Sequence, residues 1–353
     1  MANKTTGNFI GIADDYAGTS GAWSITEARE RGLTLLSDHG QYWSPPVEFI
    51  VEFLVIGGGG GGGNIGNINY DIGGGGGAGG YLNSFGTELS GGSTSSLSGV
   101  FAAPEENFTV TIGAGGASNA NGSNSVFSGT DSSSTPFNHT AVGGGRGAGD
   151  QDASNGGSGG GGGWEYDGSP NWHTSNAIQF SNGAGTSNQG TAGAASAGAI
   201  VPVSAALCNS FPTGPTYCFG ASSNTIGGGG GGAGSAPPVP TGFDGGDGGD
   251  GLASSITGTS VTRAGGGGGE GFTPGPNGGT TGSNGTGGAG SSAAGGGGQP
   301  QSAGQDGTVI LRYPNTVTIN FDALELTGTT AALGAEIVTT FTAGSGTVYW
   351  TRS

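Results

Sequence analysis

Basic residues are scarce in this sequence. Only 7 of its 353 residues are Lys or Arg, against 24 Asp or Glu, and the formal net charge is −17. The basic residues are scattered and form no basic patch, so a phosphate backbone or an anionic membrane surface finds little to bind. We therefore expect no nucleic-acid partner and no peripheral membrane role.

Long hydrophobic runs are absent as well. The sequence has no stretch of the roughly 18 apolar residues that span a bilayer, so no membrane insertion is expected. Its start, MANKTTGNFIGIADD, has no positively charged stretch followed by an apolar one, and no secretory signal is expected. The two cysteines, Cys208 and Cys218, either close a small disulfide loop or stay free thiols in a reducing cytoplasm.

The motifs of common enzyme classes are also missing. His39, His139 and His173 lack metal-ligand spacing, no GxSxG elbow occurs, and the glycine runs lack the lysine of a phosphate loop. Glu165 and Asp167 could in principle act as the paired acids of a glycosidase, although two carboxylates in a loop are more often solvated. We expect no enzymatic activity, no catalytic residue, no cofactor and no bound metal.

Glycine, by contrast, is abundant, with 88 positions. Together with the 15 prolines it makes up about 29 percent of the chain, a share typical of disordered or low-complexity sequences. A flexible linker, however, is one continuous Gly- and Ser-rich stretch, whereas here short blocks are separated by segments with aromatics, prolines and asparagines. The blocks are 57–63, 73–77, 143–145, 159–163, 227–232, 265–269 and 295–298.

Packing of these blocks against one another can offset the cost of ordering them. Fixing the backbone of Gly57–Gly63 costs on the order of 10 kcal/mol. A polyproline-II-like thread has three residues per turn and no internal hydrogen bonds, but threads without Cβ atoms can approach on every side and bond to their neighbours. The sequence thus predicts packed polyglycine-II helices whose ends are held by strands.

Segments rich in Val, Ile and Phe supply those strands, at 47–56, 108–113 and 306–313. Partial apolar alternation after residue 314 predicts further strands. The predicted fold class is mostly irregular and β: a polyglycine-II helix sandwich bounded by β-strands, with a short N-terminal helix and a small C-terminal antiparallel β unit.

Three parts of the chain are predicted. Residues 1–46 form an N-terminal attachment segment with a short helix, because Ser24 and Glu27 have the spacing of a capping box. Residues 47–314 form the glycine-rich domain, and residues 315–353 form the C-terminal β unit.

The order of these features resembles a known family. The resemblance rests on VEFLVIGGGGGGG at 51–63, FTVTIGAGG and NSVF within 108–127, the repeated glycine blocks, and GTVILRYP at 307–314. These segments are similar to the glycine-rich structural proteins of tailed bacteriophages, including tail-fibre adhesins with a polyglycine-II sandwich. GAWSITEARERG at 21–32 and VTTFTAGSGTVYW at 338–350 also resemble segments of marine phage structural proteins. The chain departs from that pattern by about 46 residues before the first strand and about 39 after the closing one.

The resemblance implies a non-enzymatic virion protein that is assembled in the host cytoplasm and released by lysis. It implies a rigid scaffold whose loops recognise a cell-surface glycan or an outer-membrane protein of the host. It also implies contacts to other virion proteins through the N-terminal or C-terminal segment, and a homo-oligomer such as a trimer. The alternative is a head-decoration or head-fibre protein that serves as a stiff spacer. An ice-binding bundle would require a regular flat array of Thr or Ala, which the sequence lacks.

Aromatic residues in polar segments are the candidate receptor-binding residues, because large aromatics beside hydrogen-bonding groups suit sugar rings and protein surfaces. They lie in NIGNINYDI, WEYDGSPNWHTSN and CNSFPTGPTYCF. In the alternative, these aromatics fold back and cap the edge of the glycine slab. The candidates are Tyr70, Trp164, Tyr166, Trp172, His173, Phe211, Tyr217 and Phe219.

The segment FDGGDGGDG places Asp244, Asp247 and Asp250 at period three. In a helix with three residues per turn these carboxylates line one edge, roughly 9 Å apart, which is too far for two of them to share a calcium ion. We expect a solvated acidic rim rather than a calcium site.

Overall fold

The structure, a computed structural model, divides the chain into two units, Met1–Glu48 and Phe49–Ser353. In the first unit, β1 (Leu35–Leu36) pairs antiparallel with β2 (Tyr42–Trp43). The helix predicted between Ser24 and Gly32 lies outside the described residues. Those residues are 35–36, 42–43, 48–63, 72–166, 177–179, 181–197, 208–209, 217–218, 226–240, 244–273, 280–281 and 291–353.

The second unit consists mostly of strands, as the sequence predicts. Its described residues contain no α-helix and one 3-10 turn, at Gly91–Ser93. A helix able to cross a bilayer is not found in the described part of the chain. The strands are β3 (Phe49–Ile56), β4 (Tyr81–Asn83), β5 (Val100–Ala102), β6 (Phe108–Thr111), β7 (Ser125–Thr130), β8 (Pro136–Ala141), β9 (Trp164–Tyr166), β10 (Ala177–Gln179), β11 (Cys208–Asn209), β12 (Tyr217–Cys218), β13 (Leu252–Ser254), β14 (Val261–Arg263), β15 (Phe272–Thr273), β16 (Thr280–Thr281), β17 (Thr308–Pro314), β18 (Val317–Phe321), β19 (Leu326–Leu333) and β20 (Glu336–Arg352).

Ten of these strands form one nearly closed antiparallel sheet. Its main order is β4-β3-β17-β20-β6-β7-β8, with β5 added to β3 and with β18 and β19 added to β20. The predicted strands 47–56, 108–113 and 306–313 correspond to β3, β6 and β17, and all three lie in this sheet. The remaining described strands form two-stranded pairs between adjacent segments of the chain.

The long strand β20 joins the two halves of the sheet. Its first half lies between β17 and β19, whereas its second half pairs with β6 up to Val348 and with β18 from Val348 onward. The change of partners occurs at Gly344 and Ser345, and Gly344 has φ +95°, which a residue with a side chain rarely adopts. The strands after Pro314 are therefore antiparallel, as predicted, and they complete the sheet begun by β3.

Aromatic side chains fill the interior of the sheet. Trp350, which is fully buried, meets the rings of Phe49, Phe108 and Tyr313 at centroid distances of 5.4 to 5.6 Å. Burial raises the pKa of Tyr313 to about 12, because the interior disfavours a charged phenolate.

The second half of strand β3 is apolar on both faces because each face meets a different cluster. Val51, Phe53 and Val55 belong to the aromatic core inside the sheet. Leu54 and Ile56 belong to a second apolar cluster, which also contains Ala78, Tyr81, Ala233, Ile256, Ala264, Ile310 and Val338. Since Ala78, Ala233 and Ala264 come from the glycine-rich segments, this second cluster fastens those segments to the outside of the sheet.

Candidate functional site

The glycine segments hydrogen-bond to one another through their main chains. We call this array the glycine lattice and each segment in it a thread. In the thread Gly57–Gly63, successive N–H groups donate to three different neighbours in turn, at 2.8 to 3.0 Å, and every third residue returns to the same neighbour. The pairs are Gly57–Gly80, Gly60–Gly77 and Gly63–Gly74 with the first neighbour, Gly58–Ser123 and Gly61–Ala120 with the second, and Gly59–Gln305 and Gly62–Ser302 with the third.

The carbonyl groups of the same thread accept hydrogen bonds from three further segments. These bonds are 2.8 to 2.9 Å long and again repeat every third residue. The thread thus has six neighbours, three that accept from it and three that donate to it. In the first of these segments Gly144 donates to Gly58 and Gly147 donates to Gly61. In the second Gly116 donates to Gly59 and Asn119 to Gly62, and in the third Gly298 donates to Gly60 and Gln301 to Gly63.

The crowding around this thread leaves no room for a side chain. A Cβ atom added at any of the seven glycines would come within 3.0 Å of the main chain of a neighbouring thread, a separation that real Cβ atoms do not show. At Gly61, for example, the obstruction is the carbonyl group of Ala117. Glycine is therefore required here by close approach of backbones on every side.

The next thread, 73–80, repeats the arrangement and runs antiparallel to the first. Its N–H groups also visit three neighbours at period three. The pairs, with the donor first, are Gly74–Ala148, Gly77–Gly145 and Gly80–Val142 with the first neighbour. They are Gly75–Gly228 and Ala78–Gly231 with the second neighbour, and Gly76–Gly298 and Gly79–Gly295 with the third.

One end of the lattice continues into the sheet, and we call it the proximal end. Gly57 follows β3 directly, Gly80 precedes β4, Val142 follows β8, and Gly307 precedes β17. The N–H of Gly57 donates to Gly80 at 3.0 Å, and that of Gly80 donates to Val142 at 2.7 Å. The strands thus hold the thread ends at the spacing that the lattice needs.

The opposite, distal end is where the chain leaves the lattice for long insertions. A continuous series of main-chain bonds links the residues at which these insertions begin or end. Trp164 and Ile72 exchange bonds of 2.8 and 2.9 Å, Glu270 donates to Gly73 at 2.9 Å, Gly227 donates to Glu270 at 2.8 Å, and Ile226 and Ala197 exchange bonds of 2.9 and 3.2 Å. We call Ile72, Gly73, Trp164, Ala197, Ile226, Gly227 and Glu270 the root row.

Each insertion is closed by bonds between its own two ends. Gly63 donates to Gly74 across the insertion 64–71, at 2.9 Å. Ala197 and Ile226 are bonded to each other across 198–225. The third insertion, residues 167–176, is closed by the hairpin of β9 and β10. Bonds between described residues therefore close the lattice at the bases of these insertions.

Glu270 is the acidic residue of the root row, and its side chain is only 3% exposed. Its Oε2 atom accepts a 3.0 Å hydrogen bond from the Gly73 N–H, while its main chain bonds to both Gly73 and Gly227. Glu270 is therefore hydrogen-bonded to two other residues of the root row, Gly73 and Gly227. Sequence reasoning missed it, although a lone acid directly after the glycines 265–269 was a usable signal.

The structure brings together the roots of the three segments that carry the predicted binding residues. Trp164 itself lies in the root row and is 7% exposed. Tyr166 lies in β9, and Tyr217 in β12, where the register sets Cys208 opposite Cys218. The disulfide and free-thiol alternatives both stay predictions. The other candidates, Tyr70, Trp172, His173, Phe211 and Phe219, lie outside the described residues.

At the sides of the lattice, side chains accept hydrogen bonds from main-chain N–H groups where no further thread of the described chain lies. The side-chain oxygens of Asn121, Asn155 and Gln189 accept from the N–H groups of Arg146, Ala184 and Val142, respectively, at 2.7 to 2.9 Å.

The predicted acidic rim is present, since Asp244, Asp247 and Asp250 are exposed and the glycines between them are buried. In the ranges that the structure describes, no group of three or more His, Cys, Asp or Glu could hold a metal ion.

Comparison with known proteins identifies a family for most of the chain. A family model described as a glycine-rich domain matches residues 36–314, which ends at the last residue of β17. No curated protein and no solved structure matches the chain.

Proposed function

Since the chain belongs to the glycine-rich domain family, we propose that its glycine lattice is a rigid scaffold of polyglycine-II helices. The period-three bonding of Gly57–Gly63 supports this assignment, because a helix with three residues per turn directs successive N–H groups at 120° intervals. The exposure of every third residue along 244–250 supports it independently. At about 3.1 Å per residue, a seven-residue thread is roughly 20 Å long.

Hydrogen exchange tests the scaffold. The amides of Gly57–Gly63 should exchange as slowly as those of β3 and β17, because opening any of them requires separating a buried thread from its neighbours. The measurement is deuterium uptake by mass spectrometry of the full chain, with the exposed residues 259–260, between β13 and β14, as the fast-exchanging control. Uptake in 57–63 as rapid as in the control would refute the assignment.

The function that the geometry supports best is presentation of recognition loops. We propose a non-enzymatic virion protein of the tail-fibre or adhesin type, which binds the host surface through the insertions rooted at the distal end. The observation that carries this proposal is the root row, which gathers the bases of these insertions at one end, opposite to the sheet. Loops gathered in this way can contact one receptor together.

The receptor class proposed is a cell-surface glycan or an outer-membrane protein. Attachment to other virion proteins is assigned to the N-terminal segment or the C-terminal strands. A homo-oligomer such as a trimer would multiply weak contacts to a repeated receptor. The protein would be assembled in the host cytoplasm and carried on the virion after lysis.

Cell binding tests this function. Purified, fluorescently labelled protein should bind susceptible bacteria and reduce phage adsorption, and antibodies against it should label the particle. A variant with 199–224 replaced by a short Gly-Ser linker should keep its fold and lose binding. If neither protein binds any cell and the antibodies neither label the virion nor block adsorption, the proposal fails.

A stiff spacer on the phage head is the second candidate. It is favoured by one observation, that main-chain bonds between described residues close the lattice at the bases of the insertions, as a stiff spacer requires. Electron microscopy with the antibody label separates the two: labelling on the tail supports recognition, and labelling on the head supports the spacer.

A further inference from the structure

A cleft lies in the C-terminal strands, outside the region matched by the family and away from the root row. It has a volume of about 530 Å³, within the size range of small-ligand sites, and sits where β18 turns towards β19. Its lining consists of Ile319, Asn320, Phe321, Asp322, Glu325, Thr347 and Tyr349.

The frame of the cleft is fixed by strand pairing. Asn320 and Tyr349 are cross-strand partners, and Thr347 lies on the same face of β20 as Tyr349 because it is two residues away. At Thr347 and Val348, β20 is bonded to β6, and from Val348 onward it is bonded to β18. A ligand here would meet preorganised groups.

The polar groups of the lining accept hydrogen bonds. Asp322 and Glu325 contribute two exposed carboxylates, and Asp322 uses only its Oδ1 atom internally, to accept the Leu324 N–H at 2.8 Å. The Nδ2 group of Asn320 already donates to Thr318 and Thr351, each at 3.1 Å, so its amide oxygen is the group left to bind. No Lys, Arg or His lines the cleft. An anionic ligand would be repelled, and a ligand with many donors would be favoured.

We propose that this cleft binds an amino sugar, that is, a pyranose with a free ammonium group. The half-buried Tyr349 supplies a flat apolar surface for the sugar ring. The carboxylates of Asp322 and Glu325 accept charge-assisted bonds from the ammonium group, while Asn320 and Thr347 accept from ring hydroxyls. The site is independent of the loops assigned above to host recognition.

Titration calorimetry on the full chain tests the proposal with glucosamine oligosaccharides, their N-acetylated counterparts and glucuronic acid as probes. We expect binding of the glucosamine form alone. Glu325→Gln and Asp322→Asn should each weaken it roughly tenfold, since each removes a charge-assisted bond. Glu105→Gln, an equal change of charge at an exposed site outside the cleft, should leave the affinity unchanged.

Three results would overturn the proposal: no binding of the glucosamine form, equal binding of the N-acetylated or acidic sugar, or an equal loss of affinity in Glu105→Gln. The variant lacking 199–224 should bind the amino sugar as the wild type does. Loss of cell binding with retained sugar binding therefore separates the cleft from the distal loops.

Discussion

At the scale of residues, the lattice depends on the absence of side chains at its glycines. Every N–H of Gly57–Gly63 is bonded, and a single added methyl group meets a neighbouring main chain. Main chain cannot rotate away as a side chain does, so the clash can be relieved only by moving a whole thread. Interior glycines are therefore far less replaceable than glycines in turns.

Gly61→Ala should lower the free energy of unfolding by about 3 kcal/mol, the upper end of the usual effect of overpacking, because the obstructing atoms belong to the main chain. The measurement is urea unfolding followed by tyrosine and tryptophan fluorescence. Gly334→Ala is the control: its φ is +65° but no atom lies within 4 Å of the added methyl, so only about 1 kcal/mol is expected. Equal losses in the two variants would contradict the close-packed lattice.

The free energy of unfolding should depend on pH in the mildly acidic range because of His139. Its ring stacks on Phe53 with centroids 4.3 Å apart, and burial lowers its pKa below the usual value of 6.5. Protonation therefore favours the unfolded chain, and the free energy of unfolding should fall as the pH drops below about 6.5. Urea midpoints between pH 7.5 and about 5 should show this fall in the wild type and a flatter profile in His139→Gln. Identical profiles would show that His139 is not responsible.

At the scale of elements, the strands could be predicted, and their partners could not. The apolar runs of β3, β6 and β17 are visible in the sequence because both faces of β17 and of the second half of β3, and one face of β6, are largely buried. Strand β20, in contrast, runs without a break through EIVTTFTAG and GTVYW, although Gly344 and Gly346 are residues typical of a turn. Its switch of partners depends on long-range pairing, which no local pattern contains.

The glycine threads, like the strands, could be predicted only in part. Glycine blocks such as 57–63 predict interior threads, but rim threads such as 120–123 need glycine only where they face inward and therefore contain Ala, Asn and Ser. The aromatic segments single out the insertions that are proposed to bind a receptor. Their common base could not be predicted, because the root row is assembled by bonds between residues far apart in the sequence, such as Gly73 and Glu270.

Deletion of 315–353 should prevent the matched region from folding alone. It would remove Trp350, Phe341 and Val348 from the core and expose the edges of β17 and β6. We expect residues 1–314 to aggregate or to lose near-UV circular dichroism. The control is a shorter deletion of Arg352 and Ser353, which leaves those core residues in place. A soluble 1–314 fragment with native hydrogen exchange in 57–63 would show that the β unit is independent.

At the scale of the whole molecule, stability and recognition are assigned to different ends. The proximal end is fixed by strands and the second apolar cluster, whereas each distal insertion is closed at its own base. Closing a loop costs free energy that grows only slowly with its length. The insertions can therefore change in length and composition with little effect on the scaffold.

Replacing 199–224 with a short Gly-Ser linker should accordingly shift the thermal midpoint by no more than about 3 °C, the shift expected for roughly 1 kcal/mol in a chain of this size. Differential scanning calorimetry makes the comparison. Gly61→Ala, which changes one residue, should lower the midpoint by more than the replacement, which changes 26. The reverse order would show that the insertion supports the lattice.

The six-neighbour packing also bears on how stability varies with temperature. Unfolding the lattice exposes main-chain amides with few apolar side chains, and polar exposure lowers the heat capacity of unfolding, whereas apolar exposure raises it. The heat capacity increment per residue should then fall below the usual value of about 12–15 cal/mol/K. A protein with so small an increment has a flat stability curve and gives up little of its folding free energy in the cold.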